Sequence, residues 1–132
     1  MEEIKFEVPG KPEYIKMVRL SISSIAAVMG FDIEKTEDIK NAVEEACKTI
    51  SCHGYHGFSD KYEVKCLIMD EKLCIEITDY CSPETYGKMS LQCENCHNED
   101  SIGTYLMKSL MDEVKLDKTE LGHKKIDMVK MK

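Results

Sequence analysis

Long apolar runs are absent from this sequence of 132 residues. A helix that crosses a membrane needs about 20 consecutive, mostly apolar residues, and the chain opens with the charged segment MEEIKFEVPG. We therefore expect neither a membrane span nor a secretion signal. Internal repeats, linkers and low-complexity tracts are missing as well, which favours a single domain over residues 1–132.

Positive charge is also scarce, since 18 Lys and Arg residues stand against 25 Asp and Glu residues, for a net charge of −7. Beyond short pairs such as Lys124 with Lys125 and Lys130 with Lys132, the basic residues form no cluster. Proteins that bind nucleic acid need a concentrated basic surface for the phosphate backbone. The composition therefore argues against nucleic acid and favours a basic protein as a partner.

A disulfide framework is not expected, because the seven cysteines are odd in number and no secretion signal precedes them. Free thiols in a reducing cytoplasm are the simpler interpretation. Cys47, Cys66 and Cys74 stand where the surrounding pattern requires a small apolar residue. We predict that they are buried free cysteines.

The strongest pattern present is the amphipathic stretch Thr36–His53. Its apolar residues recur at spacings of three and four, which predicts a helix with one buried face: Ile39, Ala42, Val43, Ala46, Cys47 and Ile50. Glu45, Thr49 and His53 form a second series, four residues apart, along one edge of that face. Such a polar ladder is placed to line a cleft, although a solvated helix edge has the same spacing.

Simpler signals predict the remaining elements. Alternation predicts a strand over Ile4–Val8, and Pro12 begins a helix that Gly30 ends. A third helix begins near Ser101 and is expected to turn Ile102, Leu106 and Leu110 inward. Two hairpins complete the set, Tyr62–Met69 with Lys72–Thr78 and Glu113–Asp117 with Lys125–Met131, the second turning at Leu121-Gly122. This order predicts an α+β two-layer sandwich with helices on one face of a mixed, mostly antiparallel sheet.

Two further features follow the first hairpin. Asp79 is expected immediately past the second hairpin strand, and residues from about 80 to 101 lack periodicity, which is typical of a lid or binding loop. The helix start at Ser101, Gly103 and Thr104 offers free backbone amides to an anion, although a plain helix cap gives the same pattern.

In combination these segments resemble the bacterial anti-sigma factor serine/threonine kinases of the sigma-B and sigma-F regulator type, within the GHKL ATPase superfamily. The resemblance runs from Lys11 to the end apart from the lid, and is closest in VRLSISSIA, AVEEAC and LMKSLMDEV. It implies a Bergerat-type sandwich that uses ATP or ADP with Mg²⁺. It also implies a cytoplasmic homodimer whose partners are a sigma factor and an anti-anti-sigma protein.

The resemblance also assigns roles to residues. Glu45 matches the general base that acts on the hydroxyl attacking the γ-phosphate, and Asp79 matches the acceptor of the adenine amino group. Ser101, Gly103 and Thr104 match the glycine box over the phosphates. His53 extends the ladder of the ATP site, and Arg19 matches a partner-contacting arginine.

Three departures from the family pattern leave an alternative open, and one of them is that the Gly-x-Gly of the second box is reduced to Ser101-Ile102-Gly103. Thr49 stands where the family has the Asn that ligates magnesium, and a hydroxyl is a shorter ligand. Asp79-Tyr80-Cys81-Ser82-Pro83 lacks both glycines of the family's Asp-x-Gly-x-Gly, and Pro83 lacks a backbone donor. The alternative is a catalytically inactive binding module on the same fold.

The lid contains a CxxCH pattern at Cys93–His97. Haem attachment would require export, so zinc is the better interpretation, with Cys93, Cys96 and His97 as ligands and Cys81 as a fourth. A zinc or redox site here is compatible with either function.

Overall fold

A computed structural model of the chain describes residues 1–50, 61–80 and 101–132. Within these ranges a helix layer packs on one face of a five-stranded sheet. The strands are β1 Glu2–Pro9, β2 Lys61–Ile68, β3 Lys72–Tyr80, β4 Glu113–Lys118 and β5 Lys124–Met131. The helices are α1 Pro12–Met29, α2 Ile33–Ile50 and α3 Ile102–Leu110.

The sheet has the order β1-β2-β3-β5-β4, and each described pairing is antiparallel. The predicted α+β sandwich and both predicted hairpins are therefore confirmed. Gly30 ends α1 at a φ of 89°, a left-handed conformation that glycine adopts without steric cost. Among the described residues, no helix combines the length and apolar character needed to cross a bilayer.

The core lies between the inward face of the sheet and α2, the helix that also contacts both α1 and α3. All six residues of the predicted apolar stripe on α2 are fully buried. They face alternate residues of the central strands, which are also fully buried: Val64, Cys66, Leu73, Ile75, Ile77 and Ile126. Burial of this apolar surface supplies the main driving force for folding, and it makes α2 the rigid support for its own polar edge.

Three sequence predictions about element boundaries and helix faces were wrong in detail. Helix α2 begins at Ile33 instead of Thr36, because the Asp32 carboxylate accepts a hydrogen bond of 2.8 Å from the Lys35 amide and caps the helix there. Asp79 lies inside β3, since pairing with β2 continues through Tyr80. In α3, Ile102 is 80% exposed and Leu106 is exposed, whereas Thr104 and Met107 are buried. The packing of α3 on α2 selects that face.

The predicted burial of the cysteines is confirmed for Cys47 and Cys66, and Cys74 is only partly buried. Burial, with a smaller contribution from the charge of Glu44, raises the pKa of Cys47 to about 12. Burial also raises the pKa of Cys66 to about 12 and raises that of Cys74. Thiolates are the reactive form of cysteine, so the two buried thiols are chemically protected.

We expect iodoacetamide at neutral pH to alkylate Cys74 well before Cys47 and Cys66. A pKa of about 12 in place of 9.0 lowers the thiolate fraction about a thousandfold, and burial adds a steric barrier. Peptide mass spectrometry measures the modification at each site. The same reaction in denaturant serves as the control and should label the three equally, whereas rapid native labelling of Cys47 would contradict its position in the core.

Candidate functional site

The beginning of α3 packs against the second half of α2. A Cβ atom added to Gly103 would overlap the Thr49 Oγ1 atom and stand 3.6 Å from the Glu45 Oε2 atom. Contact this close is open only to a residue without a side chain. The structure thus brings together three of the residues that the sequence analysis selected, Glu45, Thr49 and Gly103.

Ser101 determines where α3 begins. Its Oγ atom accepts a hydrogen bond of 3.1 Å from the Thr104 amide and lies 2.8 Å from the Thr104 hydroxyl. This is the N-cap arrangement that serine favours. The first turn of α3 contains no acidic side chain, so no carboxylate within that turn offsets the partial positive charge of the helix terminus. That terminus lies beside the half-buried carboxylate of Glu45.

Asp79 lies on the same face of β3 as Leu73, Ile75 and Ile77, because side chains alternate along a strand. It stands opposite Tyr62 of β2 and is only 4% exposed. Helix α2 packs on β3, so Asp79 is on the helix-covered side of the sheet. A carboxylate at such a depth is costly unless polar groups surround it, which makes this position chemically distinct from the apolar residues in its row.

Several predicted site residues lie outside the described residues: His53 of the ladder and the proposed zinc ligands Cys81, Cys93, Cys96 and His97. Their assignments stay predictions. Within residues 1–50, 61–80 and 101–132, no group of three or more His, Cys, Asp or Glu side chains is arranged to hold a metal ion.

Arg19 lies at a second site, a groove of about 240 Å³ between α1 and α2. Its guanidinium Nη1 atom is 3.7 Å from the Glu44 carboxylate, and its buried Nε atom has no hydrogen-bond partner in the part of the chain that is described. Lys16 and Lys48 also line the groove. Three cations against one carboxylate give it a positive character on a protein with a charge of −7.

The sequence analysis singled out Arg19 but missed Lys16, Glu44 and Lys48. The signal was available in the spacing, since Lys16 and Arg19 are three residues apart on one helix and Glu44 and Lys48 four apart on the next. Side chains at these spacings share a helix face. Whether the two faces meet depends on how α1 packs on α2.

The chain matches the family model described as the histidine kinase-like ATPase domain over residues 8–130. The match covers most of the sequence, so the chain belongs to this family.

Among curated relatives, the serine-protein kinase RsbW of Bacillus subtilis strain 168 is 31% identical over 132 aligned residues, covering 86% of this chain and 76% of the relative. RsbW of Bacillus pumilus is 31% identical with the same coverage. RsbW of Listeria monocytogenes serotype 4b is 34% identical over 124 residues, covering 87% of this chain and 79% of the relative. These relatives confirm the resemblance to the anti-sigma kinase group.

Two solved structures share the fold. The crystal structure of the RsbU and RsbW domains of Rv1364c from Mycobacterium tuberculosis has a TM-score of 0.68 at 14% identity, covering 99% of this chain and 32% of that one. The SiaB-SiaC complex from Pseudomonas aeruginosa gives a TM-score of 0.61 at 10% identity, covering 98% of this chain and 89% of that one. At these identities the similarity establishes the fold alone.

We expect Gly103→Ala to destabilise the protein by about 1–3 kcal/mol, because the new methyl group overlaps the Thr49 hydroxyl. Threonine is β-branched and stiff, so it does not rotate away freely. In a Thr49→Ala background the same change should be neutral or stabilising, since alanine favours a helix over glycine by up to about 1 kcal/mol.

Urea unfolding of the wild type, both single variants and the double variant measures this coupling. Thr49→Val is the matched control, because it keeps the volume of threonine and should leave Gly103→Ala destabilising. An equal cost of Gly103→Ala in the Thr49→Ala background would place the steric overlap elsewhere.

Proposed function

We propose that this protein is an anti-sigma regulatory kinase that transfers the γ-phosphoryl group of ATP to a serine of an anti-anti-sigma protein. The observation that carries the proposal is the position of the Glu45 carboxylate beside the N-terminus of α3. Phosphoryl transfer needs a base at the attacking hydroxyl and positive charge at the phosphates. The Glu45 carboxylate and the positive N-terminus of α3 lie side by side where α2 and α3 pack together.

Glu45 is the general base in this proposal. The serine oxygen of the partner attacks the γ-phosphorus, the bond from that phosphorus to the oxygen of the departing ADP breaks, and the serine proton passes to the Glu45 carboxylate. The N-terminal amides of α3, around Ser101, Gly103 and Thr104, bind the phosphates. Asp79 accepts a hydrogen bond from the adenine amino group.

The polar groups of this site suit a nucleotide in part. A helix N-terminus whose first turn contains no acidic side chain can bind phosphates, and the buried carboxylate of Asp79 can accept a hydrogen bond from an adenine amino group. A bound Mg²⁺ ion would neutralise charge that develops on the phosphates. Thr49, the expected ligand of that ion, is only 6% exposed, and the Thr49 Oγ1 atom is in close contact with Gly103.

That contact favours a second candidate, a binding module on the same fold that does not catalyse transfer. If the Thr49 hydroxyl is engaged in helix packing, it does not reach a metal ion without movement of α3. Such a module would act by sequestering its partner alone, with or without zinc on the lid cysteines. Nucleotide binding and phosphoryl transfer, measured separately, distinguish the two candidates.

The groove at Arg19 is the proposed contact for the sigma factor and the anti-anti-sigma protein. Its positive character suits an acidic side chain of a partner. Leu20, which is exposed and lies four residues after Lys16 on the same face of α1, adds apolar contact area. A homodimer in the cytoplasm, implied by the family resemblance, completes the proposal.

We expect Mg·ADP and Mg·ATP to raise the melting temperature with concentration, because a ligand that binds only the folded state stabilises it. Glu45→Gln should retain this shift but lower phosphate transfer from radiolabelled ATP to a recombinant anti-anti-sigma protein by about 100-fold or more. Glu37→Gln, an exposed change on the same helix, should keep full activity.

Two outcomes would contradict this proposal. A wild-type protein that binds the nucleotides without transferring phosphate would identify the non-catalytic module. A Glu45→Gln variant that loses nucleotide binding together with transfer would show that Glu45 maintains the structure of the site and is not its base.

We expect Arg19→Ala to weaken binding of the anti-anti-sigma protein at least about tenfold, while the ADP-dependent shift stays unchanged. The ion pair with Glu44 is long and partly exposed, so its loss should alter the melting temperature little. Isothermal titration calorimetry measures the affinity. Lys5→Ala, on β1 away from the groove, is the control, and an equal loss of affinity in that variant would exclude a specific role for the groove.

A further inference from the structure

Lys130 is a lysine in the interior of the protein. It stands on β5 in the same row as Ile126 and Met128, on the face of the sheet that the helices cover, and it is only 8% exposed. Lysine is almost never buried without specific partners. A charged residue in a row that is otherwise apolar therefore needs an explanation from its contacts.

The amine of Lys130 contacts both helices of the candidate site. It donates a hydrogen bond to the carbonyl oxygen of Leu110, the last residue of α3, and lies 3.3 Å from the carboxylate Oδ2 atom of Asp38 on α2. The last carbonyls of a helix have no partner within the helix. A cation there is also favoured by the negative end of the helix dipole.

These contacts place α2 and α3 antiparallel and join them at two points. The start of α3 contacts the second half of α2 through Gly103, Thr49 and Glu45. The end of α3 is connected through Lys130 to Asp38, nearer the start of α2. Glu45 comes seven positions after Asp38, and Leu110 comes seven positions after Gly103. Each span is about 10 Å long at 1.5 Å per residue.

The two contacts hold opposite ends of the same helix, so a shift of α3 along α2 changes both of them. If the nine residues of α3 shift together, sliding the end of the helix away from Asp38 carries Gly103 and the helix N-terminus along α2. The distance from that terminus to Glu45 then depends on the contact at the opposite end.

We propose that Lys130, together with Asp38, is a positioning residue that fixes the axial position of α3 on α2 and so the distance between the phosphate-binding terminus and Glu45. This inference rests on the proposed kinase function. A displacement of about 1 Å in a reacting geometry lowers a rate by up to about 100-fold. Loss of the bridge should therefore lower kcat more than it changes KM for ATP.

Lys130→Met tests the proposal, since methionine retains most of the length of the side chain but cannot donate a hydrogen bond. We expect kcat to fall about 10- to 100-fold with KM changed only a few-fold. Lys130→Arg keeps a cation and should recover most of kcat. Val64→Ala, a core change in β2, is the control for destabilisation alone and should leave kcat near the wild-type value at temperatures where it stays folded.

Hydrogen exchange gives a readout that does not require activity. If the bridge holds α3 on α2, its loss in Lys130→Met should let the whole helix detach and open more often. Amide exchange should then be at least about tenfold faster as far as the first turn of α3, Thr104 to Met107, although that turn is at the far end. Faster exchange confined to residues 109–111 would show a local cap only and overturn the proposal. Equal kinetic effects of Lys130→Met and Val64→Ala would overturn it as well.

The two proposals fail in different ways. A wild-type protein that transfers no phosphate would contradict the proposed kinase function, and the exchange measurement would still decide whether Lys130 positions α3. An active wild type with unchanged kcat in Lys130→Met would contradict the positioning role alone.

Discussion

The contact between Gly103 and Thr49 is the constraint on which the candidate site depends. Because residue 103 has no side chain, α3 approaches α2 so closely that a Cβ atom at this position would overlap the Thr49 hydroxyl. This approach brings the positive terminus of α3 to Glu45, a carboxylate on the edge of the most deeply buried helix. A side chain at 103 would separate the two groups that the proposed chemistry requires.

On the face of the sheet away from the helices, charged side chains form ion pairs with one another. On the face away from the helices, Glu76 lies 3.0 Å from Lys125 and 3.5 Å from Lys65. Burial acts to raise the pKa of Glu76, but the hydrogen bond from Lys125 and the charges of both lysines lower it overall. Burial raises the pKa of the neighbouring Asp127. Glu76 offsets part of the positive charge of Lys65 and Lys125. The groove at Arg19, with three cations against one carboxylate, therefore offers a better contact for an acidic partner.

The sequence predicted best where a signal acts between near neighbours in the chain. Apolar spacing predicted the full buried stripe of α2, and Ser101 and Gly30 were recognised as helix boundaries. The start of α2 was misplaced because the local cap at Asp32 was overlooked, and two other predictions were wrong because another element decides the outcome. Ile102 and Leu106 have the spacing of an inward face, yet α3 turns Thr104 and Met107 inward because Gly103, on the same face of the helix, allows the closest approach to α2. Asp79 was expected to follow the end of β3, but pairing with β2 extends that strand through Tyr80.

By itself the sequence determined the helices and hairpins, the edge position of Glu45 on α2 and the family to which the chain belongs. These depend on periodicity, on capping residues and on motifs, all of which are local in the chain. Only the tertiary structure decided that Gly103 meets Thr49, that Lys16 and Lys48 share a groove with Arg19, and that Lys130 reaches Asp38, 92 residues away. Such contacts follow from how the helices pack on each other and on the sheet, and no short stretch of sequence encodes that packing.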